Sequence, residues 1–281
     1  MNDNTTAVRG QSVFGYVQSA IDSLTRQNRI GNAKKYGSFL NGLRRYRGGC
    51  DFTFQDLDEQ LVKDYETWLL SGGNTINTSS AYLRVFRTIY YNAAKDGIVK
   101  RRQLFKGVYT GFPKTEKNAV DIDCLCRLRG LDLTRHKSMA FARDLFFLSF
   151  YMKGISFVDM AHLRKSDLKD GYVEYIPEKS HVATRIRWER EMQDIIDRYA
   201  SKTRGLPYML PVITRLDGTE RLQYESSMRS VNRNLNRIGR MLGLSFPLTT
   251  NVARNTWDAM VRDMNLPLEV VRRSAAAVPE P

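Results

Sequence analysis

Apolar residues recur at helical spacing in four successive segments of the first hundred residues. The breaks between these segments carry glycine or asparagine, which are common where helices end. Residues Asn77-Thr78-Ser79 are expected to cap the fourth helix. Four helices with short links predict a small bundle. The predicted helices run from Ser12 to the break at Asn28, from Lys34 to Tyr46, from Glu59 to Leu70 and from Ser80 to Lys95.

The segment from Phe141 to Leu168 begins with a helix that is apolar on all sides, which indicates burial. Lys153-Gly154 is expected to end this helix. Ser156 then has the position of an N-cap for a second helix that runs to Leu163, with Asp159 as the carboxylate of a capping box. At this corner, backbone N–H groups and nearby cations are placed to face an anion. The alternative is a core helical hairpin with no ligand.

The remainder of the chain predicts a mainly α fold with a small antiparallel β-sheet, an α+β class. Two alternating segments, Tyr172–Ile176 and Thr184–Trp188, predict strands joined by a loop at 177–183 that carries Lys179. The expected helices in this part run from Asp121 to Arg129, Arg190 to Tyr199, Ser226 to Leu242 and Asn251 to Met264.

A chain of 281 residues suggests two domains. We expect a disordered lead at 1–11, a helical domain at 12–108, a basic linker at 109–117 and a second domain at 118–281. A basic hinge between two domains suits a protein that closes around a duplex. A solvated connector with no such role is an equal alternative.

The chain carries 44 Lys and Arg against 30 Asp and Glu, a net charge of +14. This excess favours a polyanionic partner, above all nucleic acid, over an anionic membrane surface. Cys50, Cys124 and Cys126 lack a zinc spacing and indicate reduced thiols in a cytoplasmic protein. We expect no metal and no cofactor. No apolar run has the length of a membrane span, and the N-terminus has no apolar signal core.

Three pieces of the sequence, taken together, resemble the tyrosine recombinase (phage integrase) family. They are SFYMKGISFVDMAHLRKSDL, the lysine-bearing hairpin and TTNVARNTWDAM, and they are most similar to the branch on mobile elements of gut bacteria. The segment NTSSAYLRVFRTIYYNAAKDGIV resembles the core-binding (SAM-like) domain of that family. The resemblance covers roughly residues 12 to 272. It implies DNA recombination and integration through a phosphotyrosine intermediate, without metal or ATP.

The resemblance also implies roles for particular residues. Arg254 matches the second family arginine, which binds the scissile phosphate, and Lys179 matches the hairpin lysine, a general acid. Ser156 stands near the position of the first arginine, and Asn251 stands where the family has histidine. The missing charge has three candidate suppliers, Lys153, Arg143 and Arg164, and the sequence does not choose among them.

The family places its nucleophilic tyrosine after a Gly-His turn near the C-terminus. Here no tyrosine follows Tyr224 and no histidine follows His181, so the C-terminal part is expected to be truncated. We therefore predict a recombinase by lineage that binds DNA without cleaving it. The alternative is a non-catalytic DNA-binding protein, either a decayed integrase or a regulator. A more distant alternative is an α-helical RNA-binding protein.

The predicted partner is double-stranded DNA, with no membrane, and the chain is expected to be monomeric off DNA and able to oligomerise on it. Binding is expected to weaken steeply with salt, because phosphate contacts release counterions. Candidate contacts to the DNA backbone are Lys34, Lys35, Arg84, Arg87, Lys114, Lys117, Arg229 and Arg233.

Overall fold

The structure, a computed structural model, describes residues 11–113 and 117–263. The chain divides into two compact units, residues 1–115 and residues 116–281. Most of the described chain is helical, with one small sheet, so the predicted α+β class is confirmed. The lead at residues 1–10 and the tail from 264 onward lie outside the described residues.

The first unit is built from four helices around an aromatic core. Phe39, Tyr65 and Phe86 are fully buried and in mutual ring contact. A 3-10 turn, Phe54–Asp56, adds a further buried aromatic ring to this core. The four helices are α1 (Val13–Arg26), α2 (Ile30–Tyr46), α3 (Glu59–Ser71) and α4 (Ile76–Lys95).

Helices α2 and α4 each begin four residues before the predicted start. Thr75, not the Asn77–Ser79 triplet, caps α4, and its side chain accepts from the backbone N–H of Thr78. Ile76 is 58% exposed, so the apolar period of the buried face gives no sign of this first turn. In α2, Gly31 lies inside the first turn rather than in the break before it.

The described part of the predicted linker is anchored on the first unit. Tyr109 donates its backbone N–H to Glu66 Oε1 at 2.9 Å. Arg87 donates to the hydroxyl of Thr110 at 2.7 Å, and Arg84 donates to the carbonyl of Gly111 at 2.6 Å. Residues 109–111 are therefore held against α3 and α4 rather than solvated on all sides.

The second unit is organised around one buried helix, α6. Eight residues of α6 are buried, and it packs against the helices numbered α8, α9 and α10. The helices are α5 (Ile122–Gly130), α6 (Lys137–Tyr151), α7 (Phe157–His162), α8 (Arg190–Asp197), α9 (Glu220–Met241) and α10 (Thr250–Asp263).

The sheet of the second unit has three antiparallel strands in the order β1-β2-β3. They are β1 (Leu168–Lys169), β2 (Tyr172–Tyr175) and β3 (Thr184–Arg187). Strand β1 was not predicted, since two residues are too few to show an alternating pattern. The register pairs Tyr175 with Thr184 at the end of the sheet where the hairpin loop begins.

Helix α9 begins six residues before the predicted start at Ser226. The Asp217 carboxylate accepts from the backbone N–H of Thr219, and this turn leads into Glu220, the first helical residue. Leu222 is 65% exposed and Tyr224 is only partly buried, so the first turns of α9 show too weak an apolar period for a periodicity argument to detect. Neither described range contains a helix long and apolar enough to cross a membrane.

Candidate functional site

The corner between α6 and α7 is a tight turn in a left-handed backbone conformation. Lys153 and Gly154 have φ angles of +55° and +76°. The backbone N–H of Gly154 donates to Ser149 O at 2.8 Å, and the buried Ser149 hydroxyl donates to Ile155 O at 2.8 Å. The predicted end of the helix at Lys153-Gly154 therefore matches the structure, where α6 ends at Tyr151 and the turn follows.

Helix α10 lies directly against this turn. A Cβ atom on Gly154 would lie 2.9 Å from Arg254 Cγ and 3.2 Å from Arg254 Cα. Both distances are shorter than normal carbon contacts, so a side chain at residue 154 would displace α10. Glycine therefore meets two demands, the positive φ and the close approach of Arg254.

Asp159 connects the start of α7 to the β2–β3 hairpin. Ser156 caps α7, and its hydroxyl donates to Asp159 Oδ2 at 2.6 Å. The other carboxylate oxygen of Asp159 accepts from the backbone N–H of Glu178 at 2.8 Å. The predicted reciprocal capping box, in which Asp159 would accept from the Ser156 backbone, is not formed: the carboxylate accepts from the Ser156 hydroxyl and the Glu178 backbone. Asp159 instead fixes the base of the loop that carries Lys179.

The turn, the hairpin and α10 together enclose a cavity of about 340 Å³. Three cationic side chains line it, those of Lys153, Lys179 and Arg254, together with one carboxylate, that of Asp159. Ser156 also lines the cavity. Three of the charged groups expected from the sequence are therefore brought to one place, and their net positive charge suits an anion.

The cavity wall contains two aromatic residues that the sequence did not identify. Tyr175, at the end of β2, and Trp257, one turn after Arg254, both line it. Burial raises the pKa of Tyr175 well above its ordinary value, and nearby Asp159 adds to this effect while Arg254 opposes it. Like an ordinary tyrosine, Tyr175 is neutral at physiological pH, and its hydroxyl is able to donate a hydrogen bond. One sequence signal could have identified Tyr175 as a cavity residue: it lies near the end of a predicted strand, four residues before Lys179.

Three of the predicted site residues do not line this cavity. Asn251 is exposed on the first turn of α10. Arg164 is exposed beyond the end of α7. Arg143 lies beside a different cavity, where it donates to Leu131 O at 2.7 Å. Of the three candidates for the missing charge, only Lys153 is at the cavity.

The predicted DNA contacts fall into three groups. Arg229 and Arg233 are exposed one turn apart on α9, and Arg237 and Arg240 continue the same exposed face. Arg84 and Arg87 are half-buried and engaged with residues 110–112, where Arg84 also lies 3.8 Å from the ring centroid of Phe112. The remaining predicted contacts are the exposed Lys34, Lys35 and Lys117, and Lys114, which lies outside the described residues.

Comparison with known proteins finds a family match for the first unit and solved structures with a similar fold for the whole chain. Residues 12–107 match the family model described as phage integrase SAM-like domain. A lambda integrase dimer bound to a COC′ core site has a TM-score of 0.70 and 13% identity, covering 96% of this chain and 93% of that chain. Tn1549 transposon integrase in complex with transposon right end DNA has a TM-score of 0.68 and 11% identity, covering 95% and 91%. No curated protein matches the chain in sequence.

The fold is thus that of the integrases, and the SAM-like domain is the one that phage integrases carry. The predicted relationship to integrases is therefore confirmed in the first unit by the family model, and over the whole chain at the level of the fold.

Proposed function

We propose that the chain is a DNA-binding protein of the site-specific recombinase lineage, and that its cavity holds one phosphate of the DNA backbone. The observation that carries the proposal is the meeting of Arg254 and Lys179 at one cavity. These residues come from different elements, α10 and the β2–β3 loop, and only the fold brings them together. We also propose that residues 12–108 form the core-binding domain and residues 118–281 the recombinase-like domain.

Each side chain at the cavity has a distinct role in the proposal. The planar guanidinium of Arg254 binds two phosphate oxygens at once, which a single ammonium group does not do. Lys179, on the exposed loop, is the group placed to protonate a leaving 5′-oxygen. Lys153 supplies the charge that the family's first arginine would otherwise provide, since it is the only one of the three candidates at the cavity.

Ser156 stabilises the negative charge of a bound anion less than an arginine at the same position would. Its hydroxyl proton is directed to Asp159 at 2.6 Å, and the Asp159 carboxylate itself repels a phosphate. Replacing a charge-assisted fork by this pair removes a donor that stabilises developing negative charge, an effect that is commonly worth about 3 kcal/mol of transition-state stabilisation. Strand transfer by this chain would therefore be slow even with a nucleophile.

Within these 281 residues no tyrosine follows Tyr224. We expect a polypeptide of this sequence to bind DNA without becoming joined to it. Tyr175 precedes Arg254 in the chain, unlike the family tyrosine, and its raised pKa reduces the population of the attacking phenolate, so we assign it a role as hydrogen-bond donor. The second candidate function is a non-catalytic DNA-binding protein that descends from an integrase. It shares the fold and the DNA partner with an impaired recombinase and differs from it only in lacking the covalent step.

Double-stranded DNA is the proposed partner. The net charge of +14 supports this, as do the structural neighbours, which are integrases bound to DNA as a dimer, as a tetramer on a Holliday junction, or on a transposon end. We propose a monomer off DNA that assembles on DNA, in the cytoplasm, with DNA integration on a mobile element as its context.

The experiment is a binding and adduct assay on a nicked suicide substrate, with light scattering for the oligomeric state. The full chain is expected to bind the duplex, to leave no DNA-joined band in SDS and to be monomeric without DNA. Arg254→Gln and Lys179→Gln should each weaken binding by at least about fivefold, as expected for lost charge-assisted contacts. Lys169→Gln, the same charge change on exposed β1, is the control. An adduct that survives SDS would refute the proposed lack of cleavage, and equal effects of all three variants would refute the phosphate site.

A further inference from the structure

A second cavity lies at the opposite end of α6, in the same unit. Its volume is about 500 Å³, and it is lined by the first turn of α6, one face of α9 and the connections near residues 202 and 211–214. Helix α6 has fifteen residues. At a rise of about 1.5 Å per residue its two ends are about 20 Å apart. The second cavity is therefore separate from the phosphate cavity beside Lys153.

The charge around the second cavity is positive. Lys137 and Lys202 line it, and no carboxylate does so among the described residues. Lys137 is also the first residue of α6, whose N-cap, His136, makes no side-chain capping bond. Within the described ranges, the backbone N–H groups of Lys137 and Ser138 have no acceptor. The helix dipole and two ammonium groups thus favour an anion at this end.

Unpaired polar side chains point to a ligand independently of the helix end. Asn234 lines the cavity and is only 8% exposed, yet its carboxamide makes no hydrogen bond within the described part of the chain. Buried amides in native proteins almost always have a partner. A partner that is not part of this chain would satisfy Asn234.

The two serines of α9 that line the cavity, Ser227 and Ser230, are half-buried, and their hydroxyls also lack a hydrogen-bond partner in the described structure. Elsewhere in the protein, helical threonines such as Thr67 and Thr88 bond back to the carbonyl four residues earlier, at 3.1 and 2.8 Å. Two serines that forgo this local bond keep their hydroxyls available to the cavity.

We propose that this cavity is a binding site for a small phosphate ester. The phosphate would lie between Lys137, Lys202 and the start of α6, where charge and free N–H groups meet. The organic part would lie against the ring of Phe141, with its polar edge on Asn234 and the two serines. The volume is in the range of small-ligand pockets. The inference does not depend on the function proposed for the other cavity.

Adenosine 5′-monophosphate is a suitable probe, measured by titration calorimetry on the full chain, with adenosine as the uncharged comparison. The nucleotide is expected to bind and adenosine to bind at least about tenfold more weakly. Lys202→Gln should lower the affinity for the nucleotide by about tenfold, because it removes one charge-assisted contact. Asn234→Asp keeps the shape of the side chain and adds a repelling charge, so it should abolish binding.

Lys169→Gln is the matched control, since it removes the same charge from exposed β1 and should leave the affinity unchanged. Lys202 is exposed, so Lys202→Gln tests the site even if Asn234→Asp fails to fold. The proposal is wrong if the nucleotide does not bind with a dissociation constant of about 1 mM or lower. Equal losses in the Lys202 and Lys169 variants would also refute it. A short duplex that displaces the nucleotide competitively would reassign the cavity to a DNA phosphate and overturn the small-ligand proposal.

Discussion

Gly154 offers a direct test of how the candidate site is held together. An alanine there meets two separate penalties. The φ of +76° is a left-handed conformation that costs a residue with a Cβ about 1–2 kcal/mol. The added Cβ would also lie 2.9 Å from Arg254 Cγ and 3.2 Å from Arg254 Cα. The second contact is with the backbone, so α10 has to shift, and overpacking of this kind typically costs about 1–3 kcal/mol.

The chain provides a matched control for the conformational part. Gly171, in the turn between β1 and β2, has a φ of +74°, and a Cβ there would have nothing within 4 Å. Gly171→Ala therefore carries the φ penalty without the clash. We expect Gly171→Ala to lower the free energy of unfolding of the second unit by about 1–2 kcal/mol, and Gly154→Ala to lower it by about 2–5 kcal/mol.

Urea unfolding followed by tryptophan fluorescence measures this difference. In a Trp68→Phe background the remaining tryptophans, Trp188 and Trp257, both lie in the second unit, so they report its transition alone. Gly154→Ala should also weaken DNA binding, because Arg254 moves with α10, whereas Gly171→Ala should not. Equal stability losses in the two variants would show that α10 does not rest on the turn, and the assembly of the cavity would have to be described differently.

Three further changes have expected outcomes. Asp144→Asn should lower the free energy of unfolding by about 1–3 kcal/mol, because the buried carboxylate accepts from Tyr199 at 2.8 Å and from Arg198 at 3.0 Å. Urea unfolding measures this change, and an unchanged midpoint would contradict it. Burial and Asp144 raise the pKa of Tyr199, so the unfolded state loses its proton first and stability should fall as pH rises above about 10. Tyr199→Phe should make that fall shallower in urea midpoints between pH 8 and 10.5, and an identical slope would refute the assignment. Arg84→Gln should speed trypsin cleavage near residues 106–114, since it removes the 2.6 Å bond to Gly111, while exposed Lys95→Gln should not.

The elements with a buried face were predictable from the sequence, because burial imposes a period on apolar residues. Helix α6 and strands β2 and β3 were located in this way, and so was the turn at Lys153-Gly154. The first turn of α4 and the first turns of α9 were missed because they contain too few buried apolar side chains to show a period. In both cases the helix starts at a threonine cap or turn that carries no hydrophobic signal.

The candidate site was only partly predictable, for a different reason. The motifs assigned Arg254 and Lys179, but a motif does not show which other side chains share their cavity. Tyr175 reaches the cavity through its register opposite Thr184, and Lys153 through the left-handed turn. The same limit explains Arg143, which is close to Lys153 in sequence but lies three turns earlier on α6, beside another cavity.

The salt dependence of DNA affinity tests the central claim most directly, namely that Arg254 and Lys179 act on the same phosphate. Each neutralised phosphate contributes about 0.9 to the slope of log affinity against log salt. If both side chains share one phosphate, which Lys153 also contacts, Arg254→Gln with Lys179→Gln should reduce the slope by at most about 0.9 relative to the unchanged chain. A reduction of about 1.8, the sum for two separate phosphates, would contradict the account.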